Sequence, residues 1–267
     1  MLNKHRAFVK ILTELCNEQS ISVTPLCFDW VFKLEKNGKC KNIFGYDLGI
    51  NSSVAQKISL DKVATYELLK TNNIPAVSHE LFLEPDCDYL VDSGNWERLS
   101  NYLLNYKKIV CKPNNGQGGK DVFLVSSIVE LEKVVHQLFI KNRAIALSPY
   151  HDIIDEYRIV ILDNEILLVF KKIRQNGEWK HNLSSGAIPK IVEIDKINSI
   201  IKEIALKAVD VIGIVFAAVD IINTSNGYMV LEVNSGISLD YFVNYNGEER
   251  GYQKAKEIYR KGLSFLF

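Results

Sequence analysis

The stretch that most constrains this chain is VFAAVDIINTSNGYMVLEVNSG, residues 215–236. Two apolar, β-branched runs flank the turn NTSNG, a pattern that reads as a β-hairpin. Alternation along a strand puts Phe216, Ala218 and Asp220 on one face, and groups Tyr228, Val230, Glu232 and Asn234 in the same way. Depending on register, Asp220 and Glu232 stand directly opposite or diagonal, roughly 5–8 Å apart. Two carboxylates that close repel unless something neutralises them. A hard divalent cation with oxygen ligands does so, and Mg²⁺ carried in on substrate phosphates commonly uses only one or two protein carboxylates. The plainer reading is a solvent-facing sheet edge. Three polar groups interrupting apolar strands favour the cation.

A chain of 267 residues can hold one large domain or two smaller ones, each with its own core. With 47% hydrophobic and 24% charged residues it is not a disordered chain, and its net charge of zero argues against nucleic-acid binding by bulk charge. Cys16, Cys27, Cys40, Cys87 and Cys111 are odd in number and form no CxxC pair, so they read as reduced, mostly core thiols of a cytoplasmic protein. Lys4 and Arg6 precede AFVKILTEL, but Lys10 interrupts that run, which reads as part of a helix over 3–19 and not as a signal peptide. No apolar run is long enough to span a membrane.

Short β-like runs follow, ISVTPL, WVFKLE and KNIFGYDLG, with NGK as a turn; this opening segment is too small for an independent nucleotide-binding domain and reads as an appendage. The segment SLDKVATYELLKTNNIPAV predicts one helix with Ser59 as N-cap and a stop before Pro75. Lys62 falls in its first turn, where a cation opposes the helix dipole unless it meets an anion; a solvated lysine is the plainer account. LFLEP predicts a strand, and NWERLSNYLLNY a helix capped at Ser93 or Asn95. In KKIVCKPNNGQGGKDVFLVSS a buried strand ends in Lys112 and Pro113, runs into a glycine loop and returns as a strand. Gly116, Gly118 and Gly119 let main-chain N–H groups approach an anion that Lys112 could also reach. Neither GxxxxGK[ST] nor GxGxxG fits, and a strand follows in place of a helix, so the loop is a flap between strands or a plain hairpin turn. Ser127 and Glu130 form a capping box for a helix over 128–141. Beyond it lie two long strands joined by a DN turn, in which Arg158 and Lys172 interrupt apolar alternation. The segment carrying Lys180, His181 and Asn182 comes next, then a helix over 196–211 ending at Gly213, the hairpin, and a last helix over about 251–265. His181, beside Asn182, is the histidine least readily dismissed as a surface or core residue.

Taken in order, DK on a capped helix, KP with a glycine flap, a DEYR strand, an asparagine, then Asp and Glu-x-Asn on a hairpin resemble the ATP-grasp superfamily of carboxylate–amine ligases. The resemblance covers about residues 45–240. It is similar to the ATP-grasp modules of cyanophycin synthetase, bifunctional glutathione synthetase and ribosomal-protein glutamate ligases. The first two are especially similar over GINSSVAQKISLDKVATYELLKTNNIPA. The resemblance implies an α+β fold in which two α/β subdomains, over 58–147 and 148–267, clasp ATP, with residues 1–57 as a truncated N-terminal appendage. It implies ATP and Mg²⁺ as cofactors, Mn²⁺ being an acceptable substitute, and an acyl-phosphate joined to an amine. Residue by residue, it makes Lys62 and Lys112 the phosphate-holding lysines and Gly116, Gly118 and Gly119 the flap. The main chain from Ser148 to Tyr150 becomes the adenine-reading hinge, with Asp152, or alternatively Asp155, at the ribose. Arg158, Lys172 and Asn182 steady the γ-phosphate and acyl-phosphate, and Asp220, Glu232 and Asn234 hold the metal. Lys180 stands where relatives often carry arginine, a point charge without the bidentate fork.

The implied partners are a small-molecule carboxylate and an amine, either of which could be an amino acid, a peptide or carrier-bound. The resemblance also leaves room for a second copy of the chain, as a homodimer, or a partner protein to complete the substrate site; no nucleic acid and no membrane are expected. The alternative class is a nucleotide-binding or sensing module of the same fold without turnover.

Overall fold

The computed structural model describes residues 6–84, 96–116, 118–175 and 177–267. It begins with helix α1 (Ala7–Glu18), whose Phe8, Ile11, Leu12 and Leu15 recur at helical spacing and are buried together. Three short strands follow, β1 (Ser22–Leu26), β2 (Val31–Lys36) and β3 (Lys39–Phe44), forming an antiparallel sheet in that order. Alternation turns Phe32 and Leu34 of β2 inward onto α1.

Two helices then stand where the sequence suggests one. In α2 (Ser53–Leu60) the Ser52 side chain accepts from Ala55 N–H, and in α3 (Lys62–Thr71) the Asp61 carboxylate accepts from Ala64 N–H. Ser59, the expected cap, is a buried residue in the last turn of α2. Asp61 takes the role because its extended backbone (φ −93°, ψ 111°) breaks the helix and its carboxylate answers unpaired N–H groups.

A four-stranded antiparallel sheet, ordered β4-β7-β5-β6, is built from β4 (Glu80–Leu83), β5 (Ile109–Pro113), β6 (Phe123–Val125) and β7 (Ala144–Pro149). Helices α4 (Trp96–Tyr106) and α5 (Ile128–Phe139) cover it, sharing a core that includes Phe82, Leu99, Ile109 and Leu131. The candidate α4 caps Ser93 and Asn95, like Cys87, lie outside the described residues. At α5 the Ser127 hydroxyl accepts from Glu130 N–H, while the Glu130 carboxylate accepts from Ser126 N–H, one residue earlier than a capping box requires.

The third sheet, ordered β10-β9-β8-β11-β12, has five antiparallel strands: β8 (Asp155–Leu162), β9 (Glu165–Ile173), β10 (Ile188–Ile191), β11 (Phe216–Thr224) and β12 (Gly227–Asn234). Helix α6 (Ser199–Ile212), closed by Gly213 in the left-handed region (φ +69°), packs on one face. Ala55 of α2 and Leu69 of α3 share this core. The chain continues as an extended segment against β12, with Val77 N–H donating to Val230 O and Val230 N–H donating to Pro75 O, both at 2.9 Å. Helices α2 and α3 thus pack with the five-stranded sheet, and the core of the four-stranded sheet begins at Phe82 of β4.

The opposite face of the five-stranded sheet changes character along its strands. At one end Val160, Leu168, Phe170, Phe216 and Ala218 pack with α1, β2 and β3, and with helices α7 (Asp240–Asn246) and α8 (Gln253–Leu263), which flank a wide π turn over Gly247–Tyr252. The opening segment thus shares a core with the C-terminal helices. At the other end the same face carries Glu156, Arg158, Lys172 and Asp220 and looks toward the four-stranded sheet.

The hairpin departs from simple alternation in one place. Asp220 pairs directly with Glu232, but the register then slips so that Ile221 pairs with Val230. This bulge leaves Leu231 beside Glu232 on the open face and turns Val230 into the buried core with Val233. Val230 therefore does not share a face with Glu232 and Asn234. Nor are the thiols mostly core: Cys16 and Cys111 are buried, Cys27 and Cys40 exposed. Among the described residues no helix is long and apolar enough to cross a membrane.

Candidate active site

A cavity of about 300 Å³ lies between the two larger sheets. The four-stranded sheet contributes Lys112 and Ser148, and the loop between β5 and β6 contributes Gly116, Gly118 and Gly119. Lys62 enters from the start of α3, and Tyr150 from the chain just after β7. The five-stranded sheet supplies Arg158, Lys172, Asp220, Glu232 and Asn234, and the segment after β9 supplies Asn182. Of the residues singled out in the sequence, Asp152 is the exception: it is exposed and absent from the lining. Asp155 is absent too, and is ion-paired to Lys171.

The charged wall follows from strand register. Arg158 and Asp220 are direct cross-strand partners, as are Asp220 and Glu232, so three charges stand in a row across β8, β11 and β12. Arg158 grips Asp220 with two hydrogen bonds, Nε to Oδ1 at 2.8 Å and a second guanidinium nitrogen to Oδ2 at 2.7 Å. Lys172 Nζ lies 2.9 Å from the same Oδ2 and 2.5 Å from Glu156 Oε1. Burial alone would push the Asp220 carboxyl up; Arg158 and Lys172 outweigh it and hold it at about 2. Glu156 is buried and lines the cavity, although the DEYR motif that contains it assigns it no role of its own.

Across the cavity, Lys62 Nζ donates to the main-chain oxygens of Gly116 (2.7 Å) and Asn114 (3.2 Å), tying α3 to the glycine loop. Asn114, also not singled out in the sequence, is buried and accepts from Val63 N–H at 3.2 Å. Burial, reinforced by neighbouring Lys62, brings the Lys112 ammonium down to about 8. The loop meets the opposite wall: Ser184 Oγ donates to Gly118 O at 2.9 Å, and a Cβ on Gly119 would come within 2.6 Å of the Asn182 amide. Glycine is required there by space as well as by φ of +70°.

At the rim, the Tyr150 and Trp179 rings lie 6.3 Å apart edge to face, with Lys108 Nζ 3.9 Å over the tyrosine ring. Tyr150 N–H already donates to Lys108 O at 3.0 Å, so a planar base docking here would rely on the flanking main chain and these rings. His181 is buried with Nδ1 3.2 Å from Lys172 O and Nε2 without a partner. Burial lowers its pKa below the usual imidazole value.

Asp220, Glu232 and Asn234 offer oxygen donors only, the ligand class of a hard cation. Asn234 adds an amide oxygen, and its Nδ2 is buried without a hydrogen-bond partner. Among the described residues no cluster of three or more His, Cys, Asp or Glu side chains is placed to hold a metal. Two carboxylates and an amide suit Mg²⁺ that takes its remaining ligands from phosphate and water.

Comparison with known proteins agrees with this architecture. The family model described as the RimK-like ATP-grasp domain matches residues 60–258. Glutamate–LysW ligase ArgX of Sulfolobus acidocaldarius is 26% identical over 191 residues, covering 69% of this chain and 63% of that protein. Tetrahydromethanopterin:alpha-L-glutamate ligase of Methanocaldococcus jannaschii is 30% identical over 142 residues, covering 50% of this chain and 47% of that one. Among solved structures, D-alanine–D-alanine ligase from Bacillus anthracis complexed with ATP superposes with a TM-score of 0.58 at 18% identity, covering 81% of this chain and 66% of that chain. The chain thus spans about half to two thirds of the length of these proteins.

Proposed function

The chain belongs to the RimK-like ATP-grasp domain family, and on that premise we propose that it is an ATP- and Mg²⁺-dependent ligase joining a carboxylate to an amine through an acyl-phosphate. One observation carries this reading: a single cavity brings cations that include Lys62, Lys112, Arg158 and Lys172 together with Asp220, Glu232 and Asn234. Such a wall suits a triphosphate and its counter-ion.

In this reading Lys62, Lys112 and the glycine loop hold the phosphates, and the base lies toward Tyr150 and Trp179. Asp220, Glu232 and Asn234 would hold Mg²⁺, which supplies charge neutralisation of the phosphates when bound. Arg158 and Lys172 steady the transferring phosphoryl group as a substrate carboxylate attacks it in line. ADP is displaced and the carboxylate becomes an acyl-phosphate. The amine then attacks the acyl carbon, phosphate leaves, and the nitrogen sheds its proton. Positioning and electrostatics do the catalytic work, so no enzyme nucleophile is called for. The names of the relatives make glutamate the first amino acid to try in either role, with a peptide or carrier-bound partner opposite it.

A hydroxylamine trap tests this directly. Protein, ATP and Mg²⁺ are incubated with pools of carboxylates, glutamate and glutamyl peptides first, and scored for hydroxamate and ADP. Hydroxamate tied to one pool is the expected result and identifies the carboxylate. Tight, Mg²⁺-dependent nucleotide binding with no hydroxamate from any pool would favour the non-catalytic nucleotide-binding module instead.

A further inference from the structure

Lys172 sits between two carboxylates that have different obligations. Asp220 is the residue that the proposed function commits to a metal ion; Glu156 is not. The Lys172 ammonium is only 4% exposed and lies 2.5 Å from Glu156 and 2.9 Å from Asp220. A buried lysine that lost its one counter-charge would be strongly disfavoured. If Asp220 alone held Lys172, turning Asp220 toward a cation would release the lysine at the moment its charge is needed.

Register shows why Glu156 suits the second role. Tyr157 pairs with Lys171 across β8 and β9, so the next rung sets Glu156 across from Lys172 on the cavity face. On its other side Glu156 faces Ile222 of β11, which offers no polar group. Lys172 is the hydrogen-bond partner the structure gives the Glu156 side chain. Arg158, two residues further along β8, is occupied by Asp220. Glu156 therefore has no metal to serve and one cation to hold.

We propose that Glu156 is the positioning residue for Lys172, anchoring its ammonium at the cavity wall independently of Asp220, so that the lysine stays directed at the terminal phosphate while Asp220 serves the cation. This rests on the proposed function only in assigning Lys172 to the terminal phosphate. It adds a division of labour between the two carboxylates flanking that lysine.

The test compares binding of ADP with binding of the non-hydrolysable triphosphate AMPPNP, by calorimetry with Mg²⁺, in the parent protein, Glu156→Gln, Lys172→Met and the double variant. The parent should prefer AMPPNP. Glu156→Gln should cut that preference about tenfold, the equivalent of one charge-assisted hydrogen bond, and leave ADP affinity within about twofold. Glu156→Asp should recover part of the loss. In the Lys172→Met background, Glu156→Gln should change nothing further, because its effect runs through the lysine. The double variant removes charge and counter-charge together, so it remains informative if Glu156→Gln alone folds poorly. An unchanged preference in Glu156→Gln, or an equal loss with and without Lys172, overturns the inference. An unchanged preference in Lys172→Met would instead remove the assignment of Lys172 to the terminal phosphate, and the inference with it.

Discussion

At the scale of single residues, the fold alters the charge of Lys112 within a pH range open to titration. Burial and the nearby Lys62 ammonium bring it down to about 8, against roughly 10.4 for a free lysine. Between those values the unfolded chain binds a proton that the folded protein does not. This group's contribution to stability therefore rises as pH climbs from about 8 to about 10.4. A bound triphosphate favours the ammonium form. AMPPNP binding at pH 9 should thus take up a proton that is already in place at pH 6.5. Calorimetric titrations in buffers of different ionisation enthalpy read this directly, and Lys112→Arg, charged at both values, should abolish the uptake. Equal proton uptake at both pH values would show that Lys112 does not face the phosphates. Charged residues that break an apolar strand, such as Lys112, Arg158, Lys172 and Asp220, are legible in the sequence because burying them demands a reason. Glu156 and Asn114 are not. DEYR looks like a polar ramp into a strand, and the partner of Glu156 lies 16 residues away across a hairpin.

At the scale of elements, the glycine loop makes two neighbouring glycines inequivalent. Gly118 and Gly119 both have positive φ, +65° and +70°, so alanine at either position strains the backbone by about 1 kcal/mol. Only at Gly119 would the added methyl also collide with Asn182; around Gly118 the space is open. Gly119→Ala should therefore lower kcat in the hydroxamate assay by about tenfold or more by displacing Asn182, with Gly118→Ala staying within a few-fold of the parent. ADP affinity should change little in both. Similar kcat values for the two variants would reduce the loop to a turn. Spacing in the sequence suffices for a glycine flap between two strands, but not for its contact with a segment 63 positions further on, which needs the two sheets facing each other. The same limit explains the other misjudged elements. The register slip at Leu231 is set across the hairpin, so alternation alone puts Val230 on the wrong face; the break at Asp61 is a local cap to Ala64 N–H, which hydrophobic periodicity passes over when it extends one helix through Asp61.

At the scale of the whole molecule, the opening segment is joined to the site through Asp240. One carboxylate oxygen of Asp240 accepts from Phe8 N–H in the first turn of α1 at 3.0 Å, and the other accepts from Tyr46 Oη–H at 2.5 Å. Tyr46 is held in turn by Arg6, whose guanidinium donates to the main-chain oxygens of Asp29 and Gly45 and stacks on Trp30 and Tyr46. Immediately before Asp240 runs the loop that carries Gly236, Ile237 and Ser238 into the cavity, and Tyr241 follows it. From α8, Tyr259 Oη–H donates to Ile237 O at 2.8 Å and pins the loop at a second point. Tyr46→Phe removes the hydrogen bond donated to the half-buried Asp240 carboxylate and the one accepted from Arg6 Nε, and should cost about 1–2 kcal/mol. For a domain of this size that corresponds to a fall in Tm of roughly 2–8 °C. The loop directly follows Asn234 at the end of β12 and lines the same cavity, next to the residues proposed to hold the metal. The same variant should therefore raise KM for the carboxylate or amine found by the hydroxylamine trap several-fold while KM for ATP stays within about twofold. A fall in Tm with both KM values unchanged would make the segment a purely structural buttress. A rise in KM for the substrate alone would make it a support of the substrate side of the site, acting from a segment that does not itself line the cavity.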